Sequence, residues 1–291
     1  MLKMSTGEKY NTLAWHHFKT VIPAEWEVTA YAVEARVGRI EFSTRCGLQA
    51  VVSWEPCRSD PDLDRTMRGF FYKLAIEDAA IESRSSGRFL LGYCKERNLA
   101  QGITCMAESF ILIRWIFENE TARENAVQDR IMQSMEPNRG ALIEYALFGL
   151  HLRIPEGFEL EDAVTQPANV LLGFERPDRA RLTFRRWGLP EYVLEGLSLD
   201  EYLEKFMKAQ GGRVSYVSKV SFLGHDCARA EYAQRGQYQM DRFMGRPWPG
   251  GVARLWIDED EKRLYCCQMI APPGVELPKM EDLFAAAGQG W

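Results

Sequence analysis

Histidine is scarce in this chain, and so are the usual signatures of a reactive site. Only four histidines occur among 291 residues, too few to predict a histidine-based metal site. The sequence contains no Walker phosphate loop, no G-x-G-x-x-G segment after a strand and no G-x-S-x-G elbow. We therefore predict no cofactor and no metal ion.

Long apolar runs and an excess of positive charge are also missing. No segment approaches the roughly eighteen uncharged apolar residues of a membrane-spanning helix. The net charge of -5 argues against nucleic acid, whose binding usually needs a basic face, and against acidic membrane surfaces. The chain begins with Lys3, Glu8 and Lys9 instead of the apolar block of a secretory signal. These absences predict a cytoplasmic protein with no membrane span.

Paired cysteines are not evident either. The seven cysteines are an odd number, and no two of them have the C-x-x-C spacing of a metal or redox site. This pattern predicts free, partly buried thiols in a reducing compartment.

What the chain does have is an internal repeat. The segment Ile22–Trp26, IPAEW, reappears as Ile154–Phe158, IPEGF, 132 residues later. The same offset relates Phe18 to Leu150, Phe42 to Phe174, and Leu91–Gly92 to Leu223–Gly224. A constant offset over so long a stretch indicates that one structural unit was duplicated. We therefore expect two domains, residues 1–138 and 139–291, with a boundary near the turn-rich Pro137–Gly140.

Alternating apolar and polar residues predict the strands. The residues before Pro23 and before Pro155 alternate in this way, which is typical of a half-buried antiparallel strand. Each strand should end at its proline, because proline has no amide donor for the ladder. Further along, the stretch Lys219–Tyr232 is predicted as a single strand.

Three-and-four spacing predicts the helices. Leu199–Phe206 follows this spacing after Ser198 and Glu201, which form a capping box. Met67–Leu74 has the same spacing in the first copy, and Pro278–Ala287 is predicted as a short terminal helix. The order of strands, helix, strands, helix predicts an α+β protein of two tandem repeats, each an antiparallel sheet packed with helices.

The two I-P-x-x-aromatic segments, each with a hairpin, a helix and a strand containing Leu-Gly after it, resemble the PsbP-like superfamily, which includes the Mog-type Ran-binding proteins. Ile22–Trp26 and Ile154–Phe158 carry the resemblance, and Leu91–Gly92 and Leu223–Gly224 support it. The resemblance covers nearly the whole chain as two tandem copies. It implies an α/β/α sandwich in each copy and a non-catalytic binding or assembly role. It transfers no functional residue.

The loop Gly245–Gly251 is the first candidate binding surface. Its prolines stiffen it, its glycines flank it, and it presents Arg246 and Trp248. Rigid loops that carry arginine and tryptophan are favoured at interface hot spots. The alternative is a long hairpin loop that tucks Trp248 against its own domain.

A second candidate surface combines Arg181, Arg185 and Trp187. Period-two spacing puts all three on one face of a strand. They would form a patch for an acidic partner, with Trp187 as its apolar anchor. The alternative is that the following helix covers this face and that nearby glutamates pair with the arginines.

The segment His225–Cys227 has the residue types of a cysteine nucleophile with a base and an orienting acid. On a strand, His225 and Cys227 share a face about 7 Å apart and Asp226 points away. We therefore expect a buried thiol and predict no catalytic residue. The acidic run Asp258–Glu261 lacks the spacing and the glycine of an EF-hand, so we expect a solvated hairpin tip.

The leading hypothesis is a non-catalytic binding, scaffolding or assembly protein whose partner is another protein. The first alternative is an enzyme with its active site in the cleft between the two repeats, built from titratable groups that converge from distant segments. The second alternative is a subunit that self-associates through exposed sheet edges.

Overall fold

The computed structural model describes most of the chain, which divides into two units. The described residues are 9–15, 17–33, 37–57, 61–77, 80–86, 88–106, 111–118, 125–147, 149–166, 168–234 and 248–284. Unit 1 ends at Gly149, and unit 2 begins at Leu150. Residues 138 and 139, the predicted boundary between the two domains, lie in unit 1.

Unit 1 is built mainly from strands. In chain order its elements are β1 (Tyr10–Trp15), β2 (Phe18–Pro23), β3 (Glu27–Val33), β4 (Gly38–Thr44), β5 (Gly47–Pro56), α1 (Leu63–Lys73), β6 (Ile81–Ser86), β7 (Phe89–Cys94), β8 (Leu99–Met106), β9 (Ile111–Phe117), α2 (Asn125–Ser134), β10 (Glu136–Pro137) and β11 (Leu142–Leu147). Sheet 1 has the antiparallel order β3-β4-β5-β9-β8-β7-β6. A further antiparallel sheet of this unit has the order β10-β2-β1-β11.

Unit 2 is also built mainly from strands. Its elements are β12 (Leu150–Pro155), β13 (Glu159–Gln166), β14 (Asn169–Glu175), β15 (Arg181–Gly188), α3 (Pro190–Leu194), α4 (Leu199–Ala209), β16 (Gly212–Phe222), β17 (His225–Gln234), β18 (Gly250–Asp258), β19 (Arg263–Ala271) and a 3-10 turn (Met280–Leu283). Sheet 2 has the antiparallel order β13-β14-β15-β19-β18-β17-β16. Strand for strand, this is the order of sheet 1.

The predicted fold class, an α+β protein whose repeats form α/β/α sandwiches, is wrong. The described residues form three antiparallel sheets with few helices. The sequence pattern predicts too few strands, since Lys219–Tyr232 is two strands separated by a turn at Leu223 and Gly224, whose φ angles are 52° and 86°. It also predicts too much helix, because Pro278–Ala287 holds a 3-10 turn.

The proline-ended strands are confirmed in both units. β2 ends at Pro23 and β12 ends at Pro155. After each proline the chain makes the same turn: the Trp26 N–H donates to the Pro23 carbonyl at 3.1 Å, and the Phe158 N–H donates to the Pro155 carbonyl at 3.3 Å. Both aromatic side chains are buried. The two I-P-x-x-aromatic segments therefore have the same local structure.

The two Leu-Gly pairs occupy different places. Leu91 and Gly92 lie within β7, where a Cβ on Gly92 would be 2.4 Å from the Met67 sulfur of α1. Leu223–Gly224, in contrast, is the turn between β16 and β17. The offset of 132 residues does not hold in this part of the chain. These pairs are therefore not equivalent positions of the two units.

α1 and α4 hold their sheets through one apolar stripe each. The buried residues are Met67 and Phe71 in α1, and Leu203 and Met207 in α4. Full burial of such a side chain contributes about 1.5–3 kcal/mol. At the start of α4, the Ser198 N–H donates to the Glu201 carboxylate at 2.9 Å, which confirms the predicted capping box.

Candidate binding surface of unit 2

β15 carries the predicted binding residues Arg181, Arg185 and Trp187. α4 covers part of the face that they share. Trp187 is 9% exposed. Its ring meets the rings of Tyr202 and Phe206 edge to face, with centroids 6.5 Å and 5.5 Å apart. Trp187 therefore lies in the core beneath α4, while Arg181 and Arg185 remain partly exposed on the same face.

Arg185 is a half-buried cation against aromatic rings. Its guanidinium carbon lies 5.6 Å from the centre of the Phe206 ring and 6.0 Å from the centre of the Trp187 ring, within the range of a cation–π interaction. Its Nε atom has no hydrogen-bond partner, and no carboxylate of the described residues forms an ion pair with it. Burial lowers the pKa of Arg185, because the charged form loses hydration, and the nearby Asp162 carboxylate opposes this shift without forming an ion pair with Arg185.

Arg181 does have a counter-ion. Its guanidinium pairs with the Asp162 carboxylate of β13. Gly173 on β14 lies beneath this pair, where a Cβ would be 3.1 Å from the Asp162 Cβ, so a side chain at this position would disturb the pair. Burial is the main cause of the lowered pKa of Arg185, and the positive charge of Arg181 lowers this pKa further. In this part of the sheet, two guanidinium groups thus lie beside one carboxylate.

Trp248 lies just before β18 and is 45% exposed. The strand register runs in one row through Gly251, Ile270 and Arg181. Because Gly251 follows Trp248 closely in the chain, Trp248 and Arg181 lie at the same end of sheet 2. Arg246, the other predicted residue of this loop, lies outside the described residues.

Tyr232 belongs to the same end of sheet 2, although it is not among the predicted binding residues. It is 4% exposed, and its hydroxyl has no hydrogen-bond partner among the described residues. Gly251 pairs with it on β18, where a Cβ would be 2.8 Å from the Tyr232 Cζ. Burial raises the pKa of Tyr232 far above its usual value, so the hydroxyl stays protonated. The signal for this position is a glycine paired with an aromatic residue on the neighbouring strand. It can be recognised only when the pairing of the two strands is known.

Unit 1 has a comparable arginine at a different strand position. The Arg114 guanidinium carbon lies 5.5 Å from the centre of the Phe70 ring of α1, and its Nε has no hydrogen-bond partner in the described part of the chain. Arg114 lies on β9 opposite Ser53 of β5. In unit 2 the arginine lies on β15, the counterpart of β5 in the strand order. In each unit an arginine therefore lies against a phenylalanine of the helix. The arginine is on β9 in unit 1 and on β15 in unit 2, and these two strands are not equivalent in the strand order.

The thiol in the segment His225–Cys227 is not activated. Cys227 is buried, and burial raises its pKa to about 11, which keeps it protonated at neutral pH. Its Sγ lies 3.3 Å from the Ala228 carbonyl oxygen, to which it donates. The His225 Nε2 lies 3.9 Å from the Asp258 carboxylate. The histidine is therefore associated with the β18–β19 turn.

Metal-binding and membrane-spanning features are not found in the described part of the chain. No group of three or more histidine, cysteine, aspartate or glutamate side chains converges among the residues that the structure describes. In the acidic run, the Asp258 Oδ1 accepts the N–H groups of Asp260 and Glu261, each at 3.0 Å, so this carboxylate closes the β18–β19 turn. No helix within the described ranges is long and apolar enough to cross a membrane.

The chain has a distant structural neighbour among solved structures. No family model and no curated protein matches the chain. The chain is similar to the apo structure of the immunity protein TplEi of the T6SS from Pseudomonas aeruginosa, with 14% sequence identity and a TM-score of 0.35. The match covers 92% of this chain and 88% of the other chain. Similarity at this TM-score does not establish a shared fold, and no functional conclusion follows from it.

Proposed function

We propose that this chain is a non-catalytic protein-binding module, and that unit 2 binds an acidic segment of its partner through Arg181, Arg185 and Trp248. The observation that carries the proposal is the state of Arg185, a half-buried cation with no carboxylate partner among the described residues. Burying a charge without a counter-ion costs free energy. A partner carboxylate would offset part of that cost when it binds.

The chemistry of the side chain favours a carboxylate ligand. A guanidinium group is a planar fork of N–H donors that matches a carboxylate with two parallel hydrogen bonds. The rings of Phe206 and Trp187 hold the guanidinium in place, so little side-chain entropy is lost on binding. Because Arg181 and Arg185 lie beside the single carboxylate of Asp162, the second negative charge would come from the partner.

Trp248 would supply the apolar contact of the same interface. Tryptophan and arginine are the residues most enriched at binding hot spots. Trp248 is 45% exposed at the Arg181 end of sheet 2. The overall charge of -5 gives no long-range attraction for an acidic partner, so affinity would depend on these local contacts.

The test is photo-crosslinking in cells with p-benzoylphenylalanine at position 248. We expect a discrete protein adduct that the variant Arg185→Met abolishes. Two positions serve as controls. Tyr72, an aromatic residue of unit 1 that is 81% exposed, is the control site for the crosslinker. Arg213, an exposed arginine on the edge strand β16, is the control site for the loss of a positive charge. An adduct that survives Arg185→Met, or that forms equally from position 72, would contradict the proposal.

We also propose that the two units descend from one duplicated module. Sheets 1 and 2 have the same strand order, and the two proline-ended strands lead into the same turn. The resemblance to the PsbP-like superfamily and self-association through sheet edges stay predictions. We propose a cytoplasmic location because all seven cysteines are thiols, as expected in a reducing compartment.

A further inference from the structure

Two thiols of unit 1 lie in contact. The Sγ atoms of Cys57 and Cys105 are 3.2 Å apart, although 48 residues separate them in the chain. Cys57 directly follows β5, and Cys105 lies on β8. Because β9 lies between β5 and β8 in sheet 1, this contact spans a strand. Both side chains are partly exposed and pack against the core beneath α1.

We propose that Cys57 and Cys105 form a redox-sensitive dithiol that closes to an intramolecular disulfide when glutathione disulfide oxidises it. A disulfide has an S–S distance of about 2.05 Å, so closure requires the two sulfur atoms to approach by roughly 1 Å. Because Cys57 lies beyond the end of β5, its backbone is not part of the strand ladder, and closure would use a shift of this backbone together with side-chain rotation.

The other five cysteines do not offer such a pair. Cys266 and Cys267 are neighbours on β19, so their side chains point to opposite faces of sheet 2. Burial raises the pKa of both thiols, which makes them poor nucleophiles. Cys94 and Cys227 are buried, and Cys46 is exposed on the turn between β4 and β5. The proximity of Cys57 and Cys105 is therefore specific to unit 1.

The reaction is two successive thiol–disulfide exchanges. One protein thiol loses its proton, attacks a sulfur of glutathione disulfide and releases one glutathione thiolate, which takes up a proton. The second protein thiolate then attacks the protein-bound sulfur of the mixed disulfide and releases the second glutathione. Overall, two protein thiols are oxidised to one disulfide, and one glutathione disulfide is reduced to two glutathione molecules.

Closure would constrain how α1 joins its sheet. Cys57 lies shortly before Asp62, whose carboxylate accepts the Arg65 N–H at 3.0 Å and caps α1. A bond to Cys105 would tie the start of this connection to β8. The disulfide would close a long loop, and long loops give the larger entropic stabilisation of the folded state. Oxidation should therefore stabilise unit 1.

The experiment equilibrates the full chain in buffers of increasing glutathione disulfide and then alkylates the remaining thiols. We expect two thiols to be lost together and proteolysis to give one peptide pair that joins Cys57 to Cys105. The Tm of the oxidised protein should rise by roughly 5–10 °C. Cys57→Ser should show neither the joined peptide nor the rise in Tm, and Cys46→Ser should behave like the parent.

Three results would overturn the proposal. The first is that both thiols stay alkylatable at every ratio of the glutathione buffer. The second is that only mixed disulfides with glutathione form in the parent chain. The third is that the same Tm rise occurs in Cys57→Ser. Because serine is nearly the size of cysteine and position 57 is partly exposed, this variant should fold and keep the comparison valid.

Discussion

The Arg185 guanidinium lies 5.6 Å from the centre of the Phe206 ring, and among the described residues it has no carboxylate partner. The charge of this strand residue thus lies against a helix ring and forms no ion pair with the described residues. If this arginine serves binding, its removal should weaken binding far more than it weakens the fold. That expectation separates a binding residue from a structural one.

For Arg185→Met we expect the free energy of unfolding to change by less than about 1 kcal/mol. Methionine keeps the apolar stem against the rings of Trp187 and Phe206 and removes the half-buried charge. Urea unfolding of the variant and the parent measures the difference. A loss of more than about 2 kcal/mol would mean that Arg185 has an essential structural partner.

Replacing two tryptophans of unit 2 should change the stability by very different amounts. Trp187→Ala should cost about 3–5 kcal/mol of folding free energy, because it empties a buried site beneath α4. Trp248→Ala should change stability by less than about 0.5 kcal/mol, because this side chain is largely exposed. Denaturant unfolding of both variants tests the contrast. Similar losses would show that Trp248 is packed as a core residue.

A matched pair of glycines tests how closely α1 approaches sheet 1. Gly92→Ala should destabilise by about 1–3 kcal/mol, because the new Cβ would lie 2.4 Å from the Met67 sulfur and 2.7 Å from the Phe71 ring. Gly69→Ala, in α1 with nothing within 4 Å of its Cβ position, should stabilise by about 0.5–1 kcal/mol. Thermal unfolding gives both signs. Equal effects would contradict this description of the helix contact.

The ion pair between Glu281 and Arg254 should contribute stability that depends on pH. The hydrogen bond from Arg254 lowers the pKa of Glu281 below its ordinary value of 4.5. A carboxylate with a lowered folded-state pKa stabilises above its unfolded pKa, and this contribution is lost as pH falls through the folded value. The stability difference between the parent and Glu281→Gln should therefore be constant at neutral pH and shrink below about pH 4.5. A difference that does not vary with pH would contradict this prediction.

Thiol reactivity should follow burial. At pH 8, N-ethylmaleimide should label the exposed Cys46 rapidly, while Cys227 and Cys266 should require denaturant, because burial raises their pKa values to about 11 and about 12. Mass spectrometry of the labelled peptides measures the rates. Rapid labelling of native Cys227 would instead indicate an activated thiol and would support the enzyme hypothesis.

Local pattern predicted some of the candidate surface and missed its decisive contacts. Period-two spacing identified Arg181 and Arg185 on one strand face, because side-chain direction alternates along any strand. It left open whether the following helix covers this face, and it did not predict that Asp162 pairs with Arg181 or that Tyr232 lies opposite Gly251. Each of those relationships joins segments that are far apart in the chain, and no short window contains both partners.

The sequence by itself determined the local structure: the strands that end at Pro23 and Pro155, and the cap of α4 at Ser198. These features depend on constraints within a few residues, such as the missing amide of proline. Only the tertiary structure decided the strand order of the sheets, the position of Arg185 against Phe206 and the contact of Cys57 with Cys105. Strand pairing sets those relationships between residues that are dozens of positions apart. Each strand adopts the register in which its apolar face is buried, and that register depends on all of the neighbouring strands.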